Sequence, residues 1–390
     1  MVSMRTKPAR TRSGRTVAPV YYHEGRFPPD DRLDWQRLVP LLGPAYSAVA
    51  RYDGMLSAVP DPSILLAPLS TQEAVLSSRI EGTQASMGQV LEFEARGVVD
   101  SPTRRDDVLE VIQYRRAMWH AEHMLRELPL SLRVIRESHR ILLASGRGKQ
   151  RSPGAYRRTQ NWIGPPGCSQ EEANFVPIAT QHLADGMSAW ERYMHRDEPD
   201  RLVQLAIVHA EFEALHPFLD GNGRMGRMLV PLFMWQRELI HQPAFYVSAY
   251  FEANRDAYYE GLRSISRDDD WTGWCEFFLD AVRTQAEDNL VKTEAILGLY
   301  EEMKDHILEV TNSRYAIKVL DSIFQHPVFA SVQFVEGTEA SPPTARRILQ
   351  RLCDSGVLRK IDPARGRRPA LFVFPRLLDV AEGRNSHDDH

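Results

Sequence analysis

Apolar and polar positions follow a helical period along most of the chain. Such a period runs over residues 33–55. Ser70-Thr71-Gln72-Glu73 then has the form of a capping box, in which a hydroxyl and a carboxylate satisfy the free N–H groups of a helix start. A helix is therefore predicted from Ser70 to Ile80, ended by Gly82. Further helices are predicted over residues 83–97, from Thr103 onward and over residues 131–144. In the helix from Thr103, Val108, Val111, Ile112, Met118, Trp119 and Leu125 make an apolar face opposite Arg104, Arg105, Arg115 and Arg116. The period returns over residues 178–195, 201–215 and 226–239, with Pro231 assigned to early turns where a proline costs little. Helices over 254–264, 271–287 and 290–304 complete the series.

Two stretches break this texture. Residues 154–176 are rich in turn formers around Gly164-Pro165-Pro166-Gly167, with short apolar pieces on either side, and predict a hairpin-like flap. Beyond Tyr315 the order is helix (316–324), helix (332–337), helix (343–355), strand (357–361) and strand (370–374). That order is what a winged helix-turn-helix requires. Its recognition helix would be residues 344–352 and its wing tip Arg365 to Arg368. The fold expected is thus mainly α with a short β-hairpin flap, followed by a winged helix. It divides into a basic tail (1–17), an N-terminal helical region (18–102), a core (103–304), a winged helix (312–380) and a tail (381–390).

Composition changes this picture little. A chain of 390 residues with 43% hydrophobic and 26% charged residues and a net charge of −4 is an ordinary globular one. Cys168, Cys275 and Cys353 are too far apart for a disulfide framework or a zinc spacing. No apolar run approaches the roughly 20 residues that span a bilayer, and no signal-peptide core is present. A cytoplasmic location is expected, with no membrane contact. The tail carries Arg5, Lys7, Arg10, Arg12 and Arg15, a pattern expected of a solvated end.

The densest chemistry lies in His216-Pro-Phe-Leu-Asp-Gly-Asn-Gly-Arg-Met-Gly-Arg227. Gly221, Gly223 and Gly226 allow a tight turn and unobstructed N–H groups before a helix, which is a nest for anionic oxygens. Arg224 and Arg227 add donors suited to phosphate. Asp220 makes sense beside them if it holds a Mg²⁺ that bridges phosphate oxygens, and Asn222 can donate an amide to the same group. His216 would take a proton from an incoming hydroxyl. The parts fit phosphoryl or nucleotidyl transfer to an alcohol. Two other readings compete: a capped turn with a core histidine, and a di-iron bundle built on Glu213-x-x-His216 and Glu238-x-x-His241.

The whole segment resembles the signature of the Fic (filamentation induced by cAMP) family. So do Gly154-Ala-Tyr-Arg157 with Asn161-Trp-Ile-Gly164, Ala173-Asn-Phe-Val-Pro177, and Tyr250-Phe-Glu through Tyr258-Tyr259. The resemblance implies a Fic-type helical core that transfers AMP from ATP to a protein hydroxyl. His216 would be the base, Asp220 the Mg²⁺ ligand, and Gly221, Asn222, Gly223, Arg224, Gly226 and Arg227 the phosphate cradle. Tyr258 and Tyr259 would flank the adenine, and the flap residues Ala173, Asn174, Phe175 and Val176 would align the target by backbone pairing. One departure is Ser266, where some relatives place an asparagine on the adenine. Ser77-x-x-x-Glu81-Gly82 resembles the family's inhibitory helix, with Glu81 on Arg227. Kinase-type phosphotransfer, UMP or phosphocholine transfer and removal of AMP remain open as alternatives. The winged helix also leaves open a DNA-binding regulator, and the partners expected include a second copy of the chain in a homodimer.

Overall fold

The computed structural model describes residues 18–97, 101–363 and 369–384. The basic tail and the wing tip Arg365 to Arg368 lie outside them. The chain opens with strand β1 (Val20–Tyr21) and helix α1 (Trp35–Ala58), which Asp34 caps by accepting from the Gln36 and Arg37 N–H groups. The short α2 (Pro62–Leu65) leads into α3 (Ala67–Ile80). Here the expected capping box fails, because the helix starts three residues before Ser70. Glu73 is buried and accepts from the Ser248 N–H at 3.0 Å and the Ser248 hydroxyl at 2.6 Å. A capping box does form one helix later, where Ser86 and Gln89 start α4 (Met87–Arg96) and Gly97 ends it in the left-handed region.

Helices α5 (Pro102–Leu125), α6 (Leu132–Leu142), α7 (Leu183–His195) and α8 (Arg201–Leu215) follow near their predicted places. The apolar face of α5 is buried at Val108, Val111 and Ile112, but Trp119 is exposed. Helix α8 is buried on nearly every side, as its Leu, Val, Ala and Ile content requires. Helix α9 (Asn222–Gln236) starts four residues earlier than predicted, so Gly223 and Gly226 lie within it. Pro231 is therefore interior rather than near the start, and it removes the N–H that would bond the Arg227 carbonyl.

Helices α10 (Ser248–Ala253) and α11 (Arg255–Asp268) precede α12 (Trp271–Thr311). The two helices predicted over 271–304 are this single 41-residue helix, about 60 Å long at 1.5 Å per residue. Asp288-Asn289 reads as a break, yet no glycine or proline stands there, and the buried Asn289 amide bonds the Tyr246 carbonyl. Helix α12 packs against α1 and α8 and reaches the C-terminal elements.

Those elements are α13 (Ala316–Gln325), β3 (Val328–Ala330), α14 (Ser331–Thr338), α15 (Pro342–Asp354), β4 (Arg359–Asp362), β5 (Leu371–Val373) and α16 (Pro375–Glu382). Every element predicted there is present, and β3 and α16 are additional. The three strands form an antiparallel sheet in the order β3-β5-β4. Helix α3 contacts α5, α9 and α10 as well as α13 and α16. Among the described residues, no helix is long and apolar enough to cross a membrane.

The flap keeps its antiparallel pairing and gains a further strand. Strand β2 (Phe175–Val176) pairs parallel with β1, Val20 opposite Phe175 and Tyr21 opposite Val176, while Ile163 bridges Phe175 antiparallel on the other side. The N-terminal partner was invisible in the sequence because it stands some 155 residues away. Tyr22 and His23, just after β1, anchor it by bonding the buried Glu211 of α8 at 2.6 and 2.7 Å.

Candidate active site

Helix α8 ends by placing His216 in the left-handed region, at φ 47. A non-glycine residue persists there only when its surroundings hold it, and Arg157 does so. Its buried guanidinium donates from Nε to the His216 carbonyl at 3.0 Å and from Nη2 to the carbonyls of Ile178 and Leu215. Burial without an acid lowers this arginine to about 10. The His216 Nδ1 faces the Glu213 carbonyl at 3.4 Å, which leaves Nε2 as the free nitrogen. Burial, helped by the Arg157 charge, lowers the His216 pKa to about 4, so the ring is neutral at ordinary pH.

The loop from Pro217 to Gly221 is fixed from two sides. The Asn222 side chain accepts from the Phe218 N–H and donates to its carbonyl, both at 2.8 Å. Its amide therefore holds the loop and does not reach out for a phosphate, as the sequence suggested it would. His139 of α6 stacks on Phe218 at 3.6 Å, accepts from the Gly154 N–H, and so donates from Nε2 to the Asp220 carbonyl at 2.9 Å. No sequence signal singled out His139. Gly221 sits at φ +79, with Leu142, Leu143 and His139 packed against its Cα.

One pocket opens on this loop. Its wall includes His216, Asp220, Gly221, Asn222, Gly223 and Glu81 on one side and residues 160–165 of the flap on the other. Asp220 accepts from Arg224 Nη2 at 3.2 Å. The Arg224 side chain is 4% exposed, and its Nε and Nη1 have no hydrogen-bond partner. Arg227 is deeper still, at 1%. It donates from Nε to the Ser77 hydroxyl at 2.9 Å and from Nη2 to the Ser77 carbonyl at 2.8 Å and Glu81 Oε1 at 2.7 Å. Burial works against its charge, yet Glu81 together with Tyr258, Tyr259 and Glu213 more than offsets this and raises the Arg227 pKa. Glu81 lies so close that any side chain at Gly223 would collide with its carboxylate. Arg255 of α11, which sequence reasoning missed, donates to the Ile80 carbonyl at the end of α3. Burial raises the neighbouring Glu213 to about 8, leaving Glu81 as the charged partner of Arg227.

Other predicted positions lie elsewhere. Tyr258 is sealed in the core against Phe251 and Trp274, with its hydroxyl on His209 at 2.9 Å. It does not face the pocket as an adenine flank. Tyr259 beside it is half-buried, and its hydroxyl has no partner. Ser266 bonds His23 Nδ1 at 2.8 Å and gives its carbonyl to Arg26, so it fastens the N-terminal strand and is no adenine contact. Ala173, Phe175 and Val176 are buried, Asn174 is exposed, and none of the four is on the pocket wall. Phe175 already has neighbours on both sides. The di-iron reading also fails, since His216 follows the end of its helix and Glu238 stands at φ 58 outside α9. Among the described residues no three His, Cys, Asp or Glu side chains form a metal cluster.

Comparison with known proteins agrees with this geometry. Residues 39–123 match the Fic/DOC family N-terminal model and residues 129–234 the Fic/DOC family model. The protein adenylyltransferase Fic of Drosophila grimshawi is 24% identical over 254 residues, covering 60% of this chain and 49% of that protein. The protein adenylyltransferase fic-1 of Caenorhabditis briggsae is 27% identical over 161 residues, 40% of this chain and 30% of that one. The chain thus spans at most about half the length of these curated relatives. In fold it is similar to the crystal structure of a Fic family protein from Desulfovibrio desulfuricans G20, with a TM-score of 0.54 and 20% identity over 87% of this chain and 95% of that one. Residues 39–123 and 129–234 thus match the N-terminal and core domains of the Fic/DOC family, and the pocket at the end of α8 is lined from both matched regions.

Proposed function

We propose that this chain is a self-inhibited protein adenylyltransferase, which transfers AMP from ATP to a Ser, Thr or Tyr hydroxyl of a target protein and releases pyrophosphate. One observation carries the reading. His216, Asp220 and the amino end of α9 share a pocket, and the Arg224 guanidinium is buried behind its wall against Asp220, with Nε and Nη1 free of hydrogen bonds and Glu110 3.9 Å from Nη1. Buried cationic donors left unpaired favour an anion with several oxygens, such as a triphosphate. The relatives called protein adenylyltransferase point to ATP as the donor.

The transfer balances simply. The target oxygen forms a bond to the α-phosphorus, the bond from that phosphorus to the bridging oxygen breaks, and pyrophosphate leaves. The neutral His216 takes the hydroxyl proton on Nε2. Asp220, a carboxylate on the pocket wall, would be the residue that holds a Mg²⁺ ion. Such an ion would offset the phosphate charge there. Glu81 would inhibit by occupying Arg227, the arginine that would otherwise hold the γ-phosphate, so that ATP binds unproductively.

With both edges of β2 paired, a target strand would need another edge. The N–H and C=O of Ile163 turn toward Phe175, so those of Trp162 and Gly164 turn away from it. Both residues are on the pocket wall, and a target strand would add there.

The test is mass spectrometry of Glu81→Gly protein incubated with ATP, Mg²⁺ and lysate. A gain of one AMP on a hydroxyl side chain, lost with His216→Ala, is expected. A gain of phosphate would indicate phosphotransfer instead, and no gain of any kind would sink the reading.

A second reading concerns the C-terminal elements, whose order fits a winged helix. Helix α15 exposes Arg346, Arg347 and Gln350 at i, i+1 and i+4, a basic face suited to duplex DNA. A salt-dependent shift of duplex DNA by the full chain, lost on Arg346→Glu with Arg347→Glu, supports it. Absence of binding at low salt refutes it.

A further inference from the structure

The inhibitory turn is fastened beyond Glu81. After Ile80 the N–H groups of Glu81 and Thr83 bond back to the Ser78 carbonyl and that of Gly82 to Arg79. The chain then meets α5. The Thr83 hydroxyl donates to Glu110 Oε2 at 2.8 Å, and the Gln84 N–H donates to Asp107 Oδ2 at 3.1 Å. Asp107 and Glu110 are buried and stand three residues apart on one helix face, where two carboxylates repel. Arg147 removes that conflict. Its Nε and Nη2 reach Glu110 at 2.9 and 3.1 Å, and Nη2 reaches Asp107 at 2.8 Å. Gly146 packs against the Glu110 stem, which brings Arg147 over both acids.

We propose that Asp107 and Glu110, clasped by Arg147, form a second fastening that holds the turn from Glu81 to Gln84 in register with Arg227. The proposal rests on the self-inhibited reading above. Arg227 and Arg255 hold the turn from the pocket side, and the α5 clasp holds it from behind. The reach of Glu81 to Arg227 then depends on both. Neither Thr83 nor Arg147 is on the pocket wall, so both act through the position of Glu81 and not on the substrate. Glu110 also stands 3.9 Å from Arg224 Nη1, which places the clasp next to the other arginine of the cradle.

Thr83→Val deletes the hydroxyl donor at nearly constant volume. Two readouts on the full chain test it: hydrogen exchange of the peptide spanning residues 77–86, and AMP incorporation from labelled ATP. Exchange should quicken. Incorporation should rise roughly tenfold, as expected for loss of one hydrogen bond to a charged acceptor, and stay below that of Glu81→Gly. In a Glu81→Gly background the same substitution should change incorporation by less than about twofold, because the contact it serves is gone. Wild-type exchange and incorporation in Thr83→Val would overturn the proposal. So would an equal rise in the Glu81→Gly background, which would mean an effect on the chemistry. If Glu81→Gly itself incorporates nothing, the adenylylation reading fails while the exchange result still decides the fastening. Should Thr83→Val melt early, the half-exposed Arg147→Ala must show the same pattern.

Discussion

Removing the Glu81 carboxylate should release the enzyme by an amount that the geometry bounds. The pair is made at 2.7 Å between an arginine 1% exposed and a glutamate 13% exposed. Unit charges about 4 Å apart attract by about 4 kcal/mol at an effective dielectric of 20. Part of this is offset because Arg227 keeps its two bonds to Ser77 and Glu81 is partly solvated. A net of about 2 to 3 kcal/mol is what a hydrogen bond between charged groups contributes, or roughly a 30- to 150-fold rise in the population with Arg227 free. Glu81→Gly should therefore raise the initial rate of AMP incorporation by about that factor. Glu81→Gln keeps the size and an acceptor oxygen but loses the charge. A neutral bond still contributes about 1 kcal/mol, so this variant should fall between the two, near tenfold. The assay is labelled ATP with Mg²⁺ at fixed target concentration, with melting curves to show that each variant folds. If Glu81→Gln stays at the wild-type rate, bulk and not charge is the restraint. If neither exceeds wild type, the contact does not govern the reaction.

Three further outcomes follow from the site. Because burial holds His216 near 4, its base form persists through the range where an ordinary histidine titrates. The kcat/KM of Glu81→Gly should stay level from pH 8 down to about 5 and fall only toward 4, and an inflection at 6.5 would contradict the assignment. Asn222→Ala leaves the buried Phe218 N–H without a partner and its carbonyl with Asn161 alone, and should destabilise the fold by about 2 kcal/mol, read as a lower urea midpoint at unchanged slope. Arg157→Met frees the carbonyls that hold His216, and should lower kcat with little change in the KM for ATP.

Much of the site was legible because its chemistry is contiguous. His216, Asp220, Arg224 and Arg227 fall within twelve residues, and Glu81 announces itself by standing one residue before a glycine at a helix end. What misled was the destination of polar side chains. Asn222 looked like a phosphate donor but bonds the backbone four residues behind it. Ser70-x-x-Glu73 looked like a cap, yet Glu73 reaches Ser248 on another helix. Ser266 stood out only as a departure from the asparagine of some relatives, and its partner His23 is 243 residues away. Periodicity located most helices, but it overlooked the Val20–Tyr21 strand, too short to show alternation and paired with residues far along the chain.

The order in which the pieces are made gives the N-terminal placement of α3 a temporal meaning. Ser77 leaves the ribosome 150 residues before the Arg227 it binds, and Tyr22 waits 189 residues for Glu211. At about 5 to 20 residues per second that second interval is roughly 10 to 40 s. On the proposed reading, the restraint would therefore exist before the machinery it restrains. When α9 finally emerges, its arginine meets Ser77 and Glu81 in the same chain, a local encounter that needs no diffusing partner. Each molecule would thus be switched off from birth, with no interval in which a newly made enzyme could modify its neighbours.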